Sequence, residues 1–373
     1  MKKLKNLMLV AMACFALVSL FSCERGNSGD GDDAEMLEIL DAYTNNTVIK
    51  TYGLLADKAI ELLELCEDLQ NSPTDAKVQV AAEKWIDARK YWEQSEAFLY
   101  GPAEYYALDP RIDSWPLDKN TLDQQLAGDM TNVDAAFVRD YYGVNLIGFH
   151  AIEYVLFEDG QSKAVSKITE NELIYLVAVS EVLMEDCILL EAAWNQNLSS
   201  AKKRILDDAE LEVSSNFGYE MLNAGSAGSR FKTPQQAVYE IIGGCETIAD
   251  EVGNEKIADP YETGNVLRVE SWYSWNSLTD FTDNIVSIEN SYLGGMEGSR
   301  TGKSLSEYVK SKNTKLDTDI LAAIDDAINA IQAIPAPFRN QLNNPASAKA
   351  IEDAMDACNA LMDQLSLIYD VIE

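Results

Sequence analysis

The sequence predicts an all-α protein built from two packed helical bundles, and three observations carry that reading. Apolar residues recur at helical spacing, as in Leu37, Leu40 and Tyr43, then Tyr52, Leu55, Ala59, Leu62, Leu65 and Leu69. Runs with the period of two that a half-buried strand needs are almost absent. Chain breakers gather in a few places, notably Pro102, Pro110, Pro116 and Gly128, and the Gly- and Ser-rich segment 223–233. A chain of 373 residues is long enough for two domains. The expected division is an N-terminal bundle over 34–200 and a C-terminal bundle over 201–373.

The first 22 residues read as a secretory leader. Lys2, Lys3 and Lys5 precede an apolar run from Leu7 to Phe21, which is short for a spanning helix. The run ends in Leu20-Phe21-Ser22-Cys23, which has the form of a bacterial lipobox. Cleavage before Cys23 would leave that cysteine to carry a lipid, so a membrane partner is expected through Cys23. Residues 23–33 are rich in Gly, Ser, Asn and Asp without apolar periodicity, and they read as a flexible acidic tether. The expected location is the cell envelope, lipid-anchored to the outer membrane, on its periplasmic or its outer face.

Helices follow in order. One is expected from Glu35 to Gln70, ending at Asn71-Ser72-Pro73, where Ser72 can cap the next. The second should run from Thr74 to about Phe98 or Leu99, where Gly101-Pro102 breaks it. The stretch 101–130 is irregular and too long for an idle connector. A third helix is expected over 133–157 and a fourth over 172–194. The second half offers helices over 201–212, 234–252, 278–292, 304–309, 316–334 and 346–372, the last two forming a hairpin about Pro335 and Pro337.

The charge excludes one class of function. There are 62 acidic residues against 29 Lys and Arg, a net charge of −33. Nucleic acid is not a partner, because phosphate contacts need Lys and Arg. Beyond the leader and Cys23, Cys66, Cys187, Cys245 and Cys358 are widely spaced without a Cys-x-x-Cys pair. They read as buried apolar side chains.

The stretch that can carry chemistry is Gly148-Phe149-His150-Ala151-Ile152-Glu153, with the only histidine of the chain. His150 and Glu153 are three apart, so a helix puts them on one face. The pair can give an imidazole nitrogen and a carboxylate oxygen to one metal ion, or Glu153 can simply fix the ring's tautomer. The surrounding helix is apolar nearly all round, so both side chains should be buried, where they need partners. Gly148, read as lying within that helix, marks a close approach of another backbone or of a ligand.

The Gly-x-His-x-x-Glu signature at Gly148, His150 and Glu153 resembles that of the imelysin-like family. So do Ala88-Arg89-Lys90-Tyr91-Trp92-Glu93-Gln94-Ser95-Glu96-Ala97-Phe98-Leu99-Tyr100-Gly101-Pro102 and Asp113-Ser114-Trp115-Pro116-Leu117-Asp118. The segment 271–292, with Asp280, Asp283 and Asn284, is similar to the family's Ser/Thr-rich stretch and following helix. The resemblance implies two helical-bundle domains related by duplication, with the signature near an interdomain cleft. It implies an envelope location and an association with iron regulation or uptake. Some members are called peptidases, others accessory components of iron transport.

Three functions are then open. The first is a non-catalytic binder of iron or another divalent metal, associated with iron-uptake components. His150 and Glu153 would be ligands, and Arg89, Ser95, Glu96, Asp113, Trp115, Asp118 and Gly148 would lie around them. The second is a metal-dependent peptidase with Glu153 catalytic. It is disfavoured because His-Glu-x-x-His is absent and no second histidine exists to complete the common zinc set. The third is an envelope module that holds a peptide, glycan or protein in the cleft.

Overall fold

The computed structural model describes residues 29–372. The leader and the lipobox Cys23 lie outside the described residues, as does most of the expected tether. Helix α1 (Gly29–Ala42) begins inside the stretch read as tether. Near its start Asp32 pairs with Lys312 at 3.0 Å. A π-helical turn, Tyr43–Val48, passes α1 into α2 (Ile49–Asn71).

Thr74, rather than Ser72, caps α3 (Asp75–Glu93), its side chain accepting the Lys77 N–H at 3.3 Å. Helix α3 stops at Glu93, before the expected Phe98, and a 3₁₀ turn follows over Glu96–Phe98. The irregular stretch holds three short helices, Pro102–Tyr105, Asp109–Asp113 and Lys119–Leu126.

The helix expected over 133–157 is broken into Ala135–Tyr141, a 3₁₀ turn Val144–Leu146 and α4 (Phe149–Leu156). The break is at Gly148, whose φ of +82° no helix allows. Gly148 therefore precedes α4 rather than lying inside a helix. A two-residue hairpin, Phe157–Glu158 with Gln161–Ser162, leads to α5 (Glu170–Trp194). Thr169 and Glu172 close a capping box at the start of α5.

In the second half, α6 (Pro234–Glu251) runs through a second π-turn, Val252–Ile257, into the short helix Ala258–Thr263. Then come α7 (Ser277–Tyr292), α8 (Thr314–Ala333) and α9 (Ala348–Ser366), the last two forming the expected hairpin. The fold is mainly α, as predicted.

Helix α2 packs between α3 and α5, with α4 laid across α3 and α5, while α6, α7, α8 and α9 make the second bundle. Tyr52, Leu55, Leu62, Trp85, Leu176 and Val179 are fully buried in the first bundle; Ile241, Ile285, Ile324 and Leu361 are buried in the second. The halves are not cleanly parted at residue 200. Helix α1 packs on α6, and the helix Ser200–Asp208 packs on α5, where Lys202 pairs with Glu191 at 2.6 Å. Gly244 of α6 lets the bundles meet closely: a Cβ there would lie 2.1 Å from the Ala97 carbonyl oxygen. Cys66, Cys187, Cys245 and Cys358 are free and buried. No helix among the described residues is long and apolar enough to cross a membrane.

Helix α5 buries acids as well as apolar groups. Glu185 pairs with Arg139, and Asp186 accepts from Arg111 Nε at 3.0 Å. Burial outweighs these partners, raising Glu185 to about 7 and Asp186 to about 6. Burial likewise raises Asp283 on α7 to about 6. A carboxyl whose folded pKa is raised adds stability that is complete below its unfolded pKa and is lost as pH rises through the folded one. The melting temperature is therefore expected to fall between pH 5 and pH 8. Glu185→Gln should make that fall shallower, and an unchanged slope in a differential scanning series would count against the assignment.

Candidate metal-binding site

Five pieces of chain converge where the bundles meet: the end of α3, the helix Asp109–Asp113, the start of α4, the π-turn Val252–Ile257, and the loop from Glu270 into α7. The centre is Arg89, which has no solvent exposure. Its guanidinium contacts Asp113 directly, Glu93 one turn along α3 at 2.6 Å, and Glu270 at 2.7 Å, and it lies 3.6 Å from Asp280. The rings of Trp85 and Phe149 sit 5.9 and 5.4 Å from its carbon. Trp92 Nε1 donates to the other oxygen of Asp113 at 2.7 Å.

His150 is fully buried in the first turn of α4. Its Nδ1 lies 2.9 Å from Glu153 Oε2. The other oxygen of Glu153 accepts three hydrogen bonds across the bundle junction, from the N–H of Tyr273 at 3.0 Å, the N–H of Ser274 at 2.8 Å and the Ser274 hydroxyl at 2.7 Å. Glu153 thus orients the ring and keeps a proton on Nδ1. Nε2, on the far side, has no hydrogen-bond partner. It faces Asp113 Oδ1 at 3.2 Å and Glu270 Oε1 at 3.7 Å. The Trp115 ring packs against that of His150, with centroids 4.7 Å apart and the planes 62° to one another.

Donor atoms of Asp113, His150 and Glu270 lie within 4.8 Å of one another, and so do those of Glu93, Glu96 and Asp113. The electrostatics prepare the first set. Burial works to raise Asp113, but Arg89 and His150 outweigh it and hold the group below its usual value. Glu270 is held well below its usual value: burial is outweighed by Lys256, His150 and Arg89. Burial raises Glu93 and Glu96 well above theirs, and Asp280 to about 6. Burial and Arg89 oppose a second proton on His150, but Asp113, Glu153 and Glu270 favour it more strongly. The carboxylates that hold that proton could equally hold a metal cation in its place.

A cleft of about 1030 Å³ opens over this floor. Asp113 and Glu270 reach its surface, Glu96, Asp109, Glu251 and Glu255 line it, and Lys256 stands among them.

The structure brings together Arg89, Asp113, Trp115, His150 and Glu153, with Gly148 immediately behind. Glu153 sits on Nδ1, with its second oxygen occupied, and so lies away from the free nitrogen where the sequence reading had put a ligand. Glu96 borders the cleft, 3.8 Å from Lys256. Ser95 is turned into its own chain, its hydroxyl bonded to the Trp92 carbonyl at 2.6 Å. Asp118 is exposed and caps the helix Lys119–Leu126 by accepting the Thr121 N–H at 3.1 Å, so it does not reach over the site. Glu270 and Lys256 were not found from sequence, since neither stands in a local pattern with His150. Glu93 had a signal, its i,i+4 spacing from Arg89.

The imelysin family model matches residues 48–368. The chain belongs to the imelysin family. It is 27% identical over 356 residues to iron-regulated protein A of Synechococcus elongatus, covering 95% of this chain and 91% of that one. A crystal structure from Parabacteroides distasonis, of a protein proposed as an iron-regulated protein A precursor, superposes with a TM-score of 0.81. It has 31% identity and covers 93% of this chain and 97% of that one. An imelysin-like protein of Psychrobacter arcticum shares the fold at a TM-score of 0.61 and 13% identity, over 95% and 96% of the two chains.

In this chain the glycine of the signature has a steric reason. A Cβ on Gly148 would lie 2.4 Å from the Ile112 carbonyl oxygen and 2.7 Å from that of Arg111, both backbone atoms next to Asp113. Gly148→Ala should lower stability by about 1–3 kcal/mol, through strain at positive φ together with the clash. Urea unfolding measures this, and a midpoint equal to the parent's would show that the Asp109–Asp113 helix does not need the glycine.

Proposed function

We propose that this imelysin-family protein binds one metal ion, iron or a similar divalent cation, through Asp113, His150 and Glu270, and serves iron handling at the cell envelope without catalysis. The observation that carries the reading is the buried Nε2 of His150, left without a hydrogen bond and facing two carboxylates held ionised by their neighbours. A buried polar atom without a partner is costly, and a cation at that point removes the cost. One imidazole nitrogen with carboxylate oxygens suits a hard-to-borderline divalent ion. The names of the Synechococcus and Parabacteroides proteins, both iron-regulated protein A, favour iron.

Binding is preferred to peptidase chemistry because Glu153, the carboxylate a peptidase reading would use, is already committed to His150 and to three donors of the 273–274 loop. It stands on the Nδ1 side of the ring, away from Nε2 and the two carboxylates that face it, and so is badly placed to activate a water on an ion held there. The cleft volume favours a second reading, a bulkier peptide, glycan or protein ligand above the same floor, because one ion needs far less room.

Thermal unfolding of the mature domain with Fe(II), Fe(III) or Zn(II) tests the metal. An ion at one hundred times its dissociation constant adds about 2.7 kcal/mol. The parent melt should rise with at least one ion, and the rise should vanish in His150→Ala and Asp113→Asn. No rise with any ion would sink the metal reading. The envelope anchor rests on Leu20-Phe21-Ser22-Cys23 and the leader before it. Cys23→Ser should incorporate no fatty acid and leave the protein in the soluble fraction of its host, whereas a variant still held by membranes would overturn the anchor.

A further inference from the structure

We propose that Lys256 is a tethered counter-cation that stands against Glu93 and Glu96 of the second donor set and so limits this site to one metal ion. The inference deepens the metal reading above and rests on it.

Lys256 owes its position to the π-turn Val252–Ile257 at the end of α6. Such turns alter the helical register locally and are frequent at functional sites. Here the turn delivers an ammonium whose side chain is only 9% exposed into the acid cluster. Nζ lies 3.2 Å from Glu270 Oε2 and 3.8 Å from both Glu93 Oε2 and Glu96 Oε1. Glu93 and Glu96 belong to the donor set that shares Asp113 with the His150 set. The second set therefore already has two cations beside it, Arg89 on Glu93 and Asp113 and Lys256 against Glu93 and Glu96.

The two positive side chains differ in how firmly they are held. Arg89 is gripped in the core, a planar fork with Asp113, Glu93 and Glu270 on its nitrogens. The Lys256 contacts at 3.8 Å are too long for hydrogen bonds, so its ammonium acts there as a point charge on a flexible stem. It also lines the cleft, into which it can withdraw.

Glu270 divides its oxygens between the two cations. Oε1 faces Arg89 and His150, and Oε2 faces Lys256. An ion on Asp113, His150 and Glu270 Oε1 can thus bind with Lys256 in place. An ion on Glu93, Glu96 and Asp113 would meet the ammonium, which stands 3.8 Å from two of its three carboxylates and repels it.

The test is metal stoichiometry and affinity, by anaerobic equilibrium dialysis and calorimetry with Fe(II) and, separately, Zn(II). The proteins are the parent, Lys256→Met, Lys256→Gln, Lys256→Arg and the double variant Lys256→Met with Glu96→Gln. The parent should take one equivalent. Lys256→Met or Lys256→Gln should take two, Lys256→Arg should stay at one, and the double variant should return to one. Two equivalents in the parent overturn the proposal whether or not any variant folds. One equivalent in the parent and in both neutral variants also overturns it, while leaving the His150 site standing. No binding by the parent but binding by a neutral variant sinks the metal function of the native chain and keeps Lys256 as the blocking cation. No binding by any of them sinks both.

Discussion

Arg89 holds a full positive charge where none of it reaches solvent, and the centre of the molecule is arranged around that fact. A buried guanidinium is tolerated only when its donors are met and its charge is opposed. Glu93 comes from the same helix, Asp113 from the short helix after it, and Glu270 and Asp280 from the second half of the chain. No local sequence context can supply such a set. The bundles have to meet for the charge to be satisfied, so the guanidinium acts as a condition on the tertiary fold. Removing it would leave four largely buried carboxylates with only Lys256 and His150 to oppose them, a larger penalty than the loss of any one pair.

The carboxylates gathered there exceed what Arg89 can neutralise. Lys256 brings a second charge, yet burial still raises Glu93 and Glu96 well above their usual values. His150 stands on the side of the cluster where the carboxylates stay ionised, Asp113 and Glu270. Fixed cations thus divide one acid-rich volume into a side poised to ligate and a side that faces an ammonium. Glu153 makes the division usable. By taking Nδ1 it turns Nε2 of His150 toward the ionised side.

Most helices were legible because their apolar spacing is local and regular. The one between 133 and 157 was misread for an instructive reason. Its apolar residues continue through 144–156, but the backbone conformation at Gly148 is set by the carbonyls of Arg111 and Ile112, more than thirty residues earlier. The His150–Glu153 pair was legible from an i,i+3 spacing, though not its polarity. Which residue faces the free nitrogen depends on the 273–274 loop binding Glu153 from across the junction. Glu270 and Lys256 are separated from His150 by more than a hundred residues, and neither has a neighbour that marks it. Asp118 looked functional beside Trp115 and proved to be a helix cap, the ordinary use of an aspartate before a helix.

The loop that fixes Glu153 also bears Glu270. It is held at its start by the Ser277 hydroxyl donating to the Glu270 carbonyl at 2.6 Å, and Ser271 adopts a φ of +51° within it. A non-glycine residue in that conformation persists only where its surroundings over-determine it. Here they do, because the Ser271 hydroxyl bonds Asp280 and the two residues after Trp272 bond Glu153. One short segment therefore sets both the direction of the His150 ring and the place of the carboxylate opposite it. His150 belongs to the first half of the chain and Glu270 to the second, so a ligand held between them would join the halves. The geometry of the donor set and the seating of one bundle on the other are, for that reason, a single structural property.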